Sequence, residues 1–67
     1  MDKNIFKGKW NQLKGESKKK WSKLTDDDLQ SIDGDRDKLV GKIQERYGKE
    51  RDEAEKEVNT WESEQNR

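Results

Sequence analysis

The chain has 67 residues, of which 16 are Lys or Arg and 16 are Asp or Glu, so 48% of it is charged while the formal net charge is zero. Only 24% is apolar, and Leu, Ile, Val and Phe together number ten, a composition on the border between a marginal fold and disorder. No run of about 18 apolar residues exists, which excludes a membrane-spanning helix, and the length excludes a large enzyme core and a second domain.

The N-terminal run Met1–Phe6 lacks the apolar stretch of about 7 to 15 residues that an export signal needs, so none is expected. With no Cys and no His in the chain, disulfide staples, a thiolate nucleophile, an imidazole base and the usual zinc sites are removed. A small secreted domain usually needs such staples, so a cytoplasmic location is expected. With no Pro and five Gly, the chain reads as helix punctuated by glycine and acidic caps.

The first helix carries Phe6, Trp10, Leu13, Trp21 and Leu24 on one seam, with Ser17 in the vacant slot. At 100° per residue these span an arc of about 80°, the narrow stripe of an amphipathic helix. Lysines flank the seam, among them Lys3, Lys7, Lys14 and Lys18 on one edge, while Asn4, Gly8, Asn11, Gly15 and Ser22 fall on the far side. The interior glycines make this the weakest helix, since each costs roughly 1 kcal/mol relative to Ala. Within it the pattern K-x-K-W-x-x-L, starting at Lys7, returns at Lys18. Eleven residues are close to three turns, which suits a hendecad of the kind found in desiccation-protective helices, but two copies favour one amphipathic helix whose seam recurs.

Thr25 followed by Asp26, Asp27 and Asp28 predicts an N-cap with acid in the first turn. Leu29 and Ile32 supply the inner face, and Gly34 suits a left-handed end. Asp35 caps a third helix whose inner face is Leu39, Val40, Ile43 and Tyr47, ended by Gly48. A fourth, from about Glu50, shows Ala54, Val58, Trp61 and Gln65 on one stripe, with Asp52 and Lys56 as an i,i+4 pair outside. The connections are so short that neighbouring helices must pack as hairpins. Charge is unevenly laid out: residues 1–23 hold eight Lys against two acids (+6), residues 24–37 six Asp against Arg36 (−5), and residues 38–67 seven basic against eight acidic groups (−1). Folding is expected to bring the basic helix against the acidic segment.

Asp33-Gly34-Asp35-Arg36-Asp37 looks like the start of a calcium loop, but Lys38 and Gln44 stand where the loop needs Gly and Glu, so helix caps explain the aspartates better and no metal is expected. The exposed carboxylates and the four unactivated serines give no catalytic constellation, and no cofactor is implied. Eight lysines with Trp10 and Trp21 between them offer phosphate neutralisation and stacking, or an interfacial helix. Both uses are disfavoured because the tryptophans sit on the seam. Their burial decides the matter: buried, they leave neither reading its aromatic contacts.

Trp10 to Gly15, Trp21, the string Lys23-Leu24-Thr25-Asp26-Asp27-Asp28, Gly34, the run from Arg36 through Gly41-Lys42-Ile43-Gln44-Glu45-Arg46-Tyr47-Gly48, and Ala54 to Val58 with Trp61 together resemble the CsbD-like small stress proteins of bacteria. The match spans nearly the whole chain and departs at Ser22 and Lys49. The resemblance implies an all-α fold of four short helices arranged as two crossed hairpins, in one domain over residues 1–67, accumulated in the general stress response. It implies no catalytic or ligand residues. The function expected is non-catalytic, by protein interaction or hydrophilic protection, with a nucleic-acid-associated module as the alternative. Lys7, Lys14, Lys18 and Arg46 are the candidate surface for a macromolecular partner of unspecified identity, Arg46 being favoured as an ion pair with the acidic segment.

Overall fold

The computed structural model describes residues 3–65; the start of the Met1–Phe6 run and the ends of the expected 1–67 domain fall outside them. Among the described residues there are five helices: α1 (Lys3–Gly8), α2 (Trp10–Lys20), α3 (Asp26–Ile32), α4 (Arg36–Tyr47) and α5 (Arg51–Gln65). The all-α bundle expected from the sequence is the observed fold. Within it α4 is the hub, packing against α1, α3 and α5.

The expected first helix is in fact two. Lys9 interrupts it at φ −97°, ψ 2°, its N–H donating to both Ile5 O and Phe6 O while its own carbonyl accepts from Gln12 and Leu13. The interruption follows Gly8, where backbone order is most expensive to maintain. Periodicity could not show it, because Phe6, Trp10 and Leu13 stay buried on both sides of the break. The helix then ends before Trp21, which leaves helical geometry at φ −119°, ψ 79°. Leu24 N–H closes a turn onto Trp21 O at 3.0 Å. The second copy of the eleven-residue pattern therefore crosses a helix end, and neither the hendecad nor the single-helix account of it holds. Trp21 and Leu24 are nonetheless core residues.

The later elements follow local chemistry closely. Thr25 accepts from Asp28 N–H and Asp28 returns a bond from Thr25 N–H, a complete capping box. Asp35 accepts from the N–H groups of Asp37 and Lys38. Gly48 ends α4 at φ 65°, a left-handed position suited to glycine. At the end of α3 the left-handed turn takes two residues, Asp33 (φ 46°) and Gly34 (φ 81°), rather than glycine alone. The i,i+4 ion pair on α5 is Arg51–Glu55 at 3.2 Å, one step before the expected Asp52–Lys56.

Four aromatic rings tie the bundle together. Trp61 of α5 meets Trp21 edge-on at 5.2 Å and Phe6 of α1 at 6.5 Å, and Phe6 lies 5.6 Å from Trp10. Leu39, Val40 and Ile43 of α4 and Ala54 and Val58 of α5 are fully covered. Tyr47, expected on the inner face, is only partly buried and packs at the edge of this core. Ser17 fills its seam slot, its hydroxyl donating to Lys14 O at 2.8 Å, so its burial leaves no polar atom unsatisfied.

Candidate functional site

Charged side chains cover this core, and their partners define what chemistry the surface offers. One of the two most enclosed is Asp28, the third residue of α3, 4% exposed. Its carboxylate accepts two bonds from Arg46 of α4, Nε and Nη2, each at 2.9 Å, and Lys42 Nζ stands 3.5 Å away. The Arg46 hydrogen bond, then the Thr25 N–H bond, hold the Asp28 carboxyl well below the usual carboxylate range, against the opposing effect of burial. Arg46 in turn is held more basic by Asp28. The fork geometry fixes the angle between α3 and α4.

A second pair joins α4 to α5. Glu62, 3% exposed, accepts from Arg36 Nε at 2.5 Å, and Arg36 also donates to Asn59 Oδ1. The third group surrounds Tyr47. Its hydroxyl accepts from Lys23 N–H at 3.1 Å, and Lys23 and Lys49 place their ammonium groups 5.1 and 5.6 Å from the ring centroid. Lys49 bonds Glu57, which also accepts from Trp21 Nε1 at 3.3 Å. That lysine, opposed by burial and helped by the indole, holds the Glu57 carboxyl below its usual pKa.

Arg46 therefore makes the ion pair with the acidic segment that its position suggested. Of the other three candidate surface residues, Lys18 is bonded to Asp26 at 2.5 Å, and the stem of Lys7 closes over the α3–α4 turn: a Cβ on Gly34 would lie 3.0 Å from Lys7 Cγ and 3.1 Å from its Cα. Lys14 lines a groove of about 290 Å³ between α2 and α3, together with Trp10, Asn11, Asp26, Leu29, Gln30 and Asp33. Lys3 reaches Asp37 at 2.9 Å. The basic and acidic segments do meet, as their charges suggested, and the cations expected to form one face are interleaved with acids.

Trp10 and Trp21 are 5% and 2% exposed, so in this fold the nucleic-acid and interfacial readings lose the two tryptophans on which they rested. Sequence reasoning missed Glu62 as a core group, although a signal was present: with Val58, Trp61 and Gln65 it completes an i, i+3, i+4, i+7 set, an inward register for a carboxylate. Among the described residues, every fully buried side-chain nitrogen and oxygen has a hydrogen-bond partner, and no helix is long and apolar enough to cross a membrane.

A family model described as CsbD-like matches residues 4–56. The chain is similar to the UPF0337 protein YjbJ of Escherichia coli strain CFT073, 60% identical over 62 residues that cover 92% of this chain and 90% of the relative. It is also similar to the YjbJ protein of Salmonella typhimurium, 58% identical with 98% and 94% covered, and to the UPF0337 protein PA4738 of Pseudomonas aeruginosa, 55% identical with 87% and 89% covered. No solved structure gives a significant match.

Proposed function

The chain belongs to the CsbD-like family, and from that premise we propose that it is a bacterial stress-response protein that works without catalysis, by protecting or contacting other macromolecules through its hydrated surface. It acts as one helical domain over residues 1–67, in the cytoplasm, where a chain this small and free of cysteine needs no disulfide staple.

One observation carries the reading. The carboxyl groups with a perturbed pKa, Asp26, Asp28, Asp37 and Glu57, all have it pushed downward, each first by a hydrogen bond from a neighbouring cation. A general acid or base working near neutral pH needs the opposite shift, toward 7. These carboxylates are fixed as counter-ions. Lys7 and Lys14, at the edges of the α1–α2 seam, are the residues of the expected surface that best fit contact with a macromolecule, while Lys18 and Arg46 shape that surface through their ion pairs.

Recovery of a freeze-labile enzyme after repeated freezing and thawing tests the proposal. Recovery should rise with the amount of this protein, exceed that given by an equal mass of serum albumin, and survive neutralisation of Lys7 or Lys14 singly. Recovery no better than with albumin would remove the protective reading. A DNA affinity falling steeply between 50 and 200 mM salt would replace it with the nucleic-acid one.

A further inference from the structure

The five helices are not equally secured. α3 begins with a capping box and α4 with a double Asp35 cap. α2 begins at Lys9 with no side-chain cap, and neither α1 nor α2 has an acid in its first turn. Gly8 and Gly15 lie within these two helices, and an added Cβ at either would meet nothing within 4 Å. Neither glycine has a positive φ. Packing and backbone geometry thus give no reason for glycine at either place, yet each weakens its helix.

The boundary of this weak region is sharp. Immediately after Lys20 the chain is pinned three times: Trp21 lies edge-on against Trp61, Trp21 Nε1 donates to Glu57, and Lys23 N–H donates to Tyr47. Before the pin, the contacts that hold residues 3–20 include the burial of Phe6, Trp10 and Leu13, the edge contact of Phe6 with Trp61, the packing of α1 on α4, the seat of Lys7 over Gly34, and the exposed ion pairs Lys3–Asp37 and Lys18–Asp26. Beyond it, Asp28–Arg46 joins α3 to α4 and Arg36–Glu62 joins α4 to α5.

We infer that residues 3–20 form an arm that opens as a unit about the Trp21–Tyr47 pin while α3, α4 and α5 stay folded. Opening exposes Phe6, Trp10 and Leu13 between Lys7, Lys14 and Lys18, a basic amphipathic segment that the closed fold satisfies internally. Its availability to a partner is set by the fraction of molecules open. The inference concerns the fold and stands apart from the protective function proposed above.

Native-state hydrogen exchange of the full chain tests it through a glycine outside the arm. Gly41 lies inside α4, also with open space where a Cβ would go, so Gly41→Ala stabilises α4 by a helix propensity difference equivalent to about a fivefold change in its opening constant. If the arm opens alone, α4 amides slow about fivefold and the amides of residues 10–20 are unchanged, because α4 is intact in the open state. If both slow by the same factor, opening is global and the inference is wrong. Exchange against urea concentration provides an independent reading. Arm amides should show a clearly smaller denaturant slope than α4 amides, and equal slopes would overturn the arm as a unit.

Discussion

Replacing Asp28 by Asn removes a negative charge from an almost fully buried position at nearly constant volume. Two bonds from Arg46 at 2.9 Å and the capping bond from Thr25 N–H at 3.1 Å converge on this carboxylate. In Asp28→Asn an amide oxygen in the Oδ2 place keeps the bonds from Thr25 N–H and Arg46 Nε, but the amide nitrogen in the Oδ1 place cannot accept from Arg46 Nη2, so one arm of the fork is lost and the remaining bonds lose the carboxylate charge. Hydrogen bonds to charged groups contribute about 1.5–3 kcal/mol each, and hydration of the partly exposed Arg46 recovers some of that, so the expected loss is about 2 kcal/mol. For a domain of this size that lowers the thermal midpoint by about 10 °C. Asp28 is also held ionised below its ordinary value of 3.8, which fixes the sign of the pH dependence. Above the unfolded value both states are ionised and the stabilisation is fully present; it is lost as pH falls from there through the lower folded value. The gap between wild type and Asp28→Asn should therefore be flat from about pH 7 to 5 and narrow below about pH 4. Urea unfolding followed by circular dichroism at several pH values reads it. A gap under about 0.5 kcal/mol at pH 7, or simple additivity of Asp28→Asn with Arg46→Gln, would refute the assignment of this fork as a tertiary clamp.

Gly34→Ala meets both a φ of +81° and the Lys7 backbone 3.1 Å from the new Cβ, whereas Gly48→Ala meets only a φ of +65° in open space. Thermal melts should show Gly34→Ala as the more damaging by at least about 1 kcal/mol, and equal effects would mean that α1 does not sit on the α3–α4 turn. Trp61→Ala removes the ring shared by Trp21 and Phe6; the expected cost of about 3–5 kcal/mol approaches the whole stability of a small domain, so cooperative melting should disappear. Lys3→Met and Lys18→Met each break an exposed ion pair and should leave the thermal midpoint within about 2 °C at physiological salt.

The legible parts of this fold were those decided within one turn of chain. Thr25, Asp35 and Gly48 terminate helices through bonds and dihedrals that involve their immediate neighbours, and the core positions repeat with the helical period. The break at Lys9 and the exit at Trp21 were hidden because burial continues through both: a period records which side a residue faces, not the backbone dihedrals of the residues between two inward positions. Asp28 could be read as a cap but not as a clamp, since its second partner lies 18 residues away, and Arg36 and Glu62 are separated by 26. A lone sequence does not carry the choice among 16 cations for a given carboxylate.

That choice explains how so charged a chain folds on so few apolar groups. Its ion pairs fall into two kinds. Lys3–Asp37 and Lys18–Asp26 are open to water, where attraction is screened and the pair adds little to stability; they join the +6 and −5 segments and bias which surfaces meet. Asp28–Arg46 and Glu62–Arg36 bury their carboxylates. An apolar replacement of similar shape would stabilise as well or better there, whereas removal of one partner leaves a buried charge uncompensated. A thin core of leucine, isoleucine and valine tolerates several packings of nearly equal energy. A buried carboxylate that must find one guanidinium tolerates one. The acidic groups near the core therefore act more by penalising the wrong arrangements of α3, α4 and α5 than by strengthening the right one.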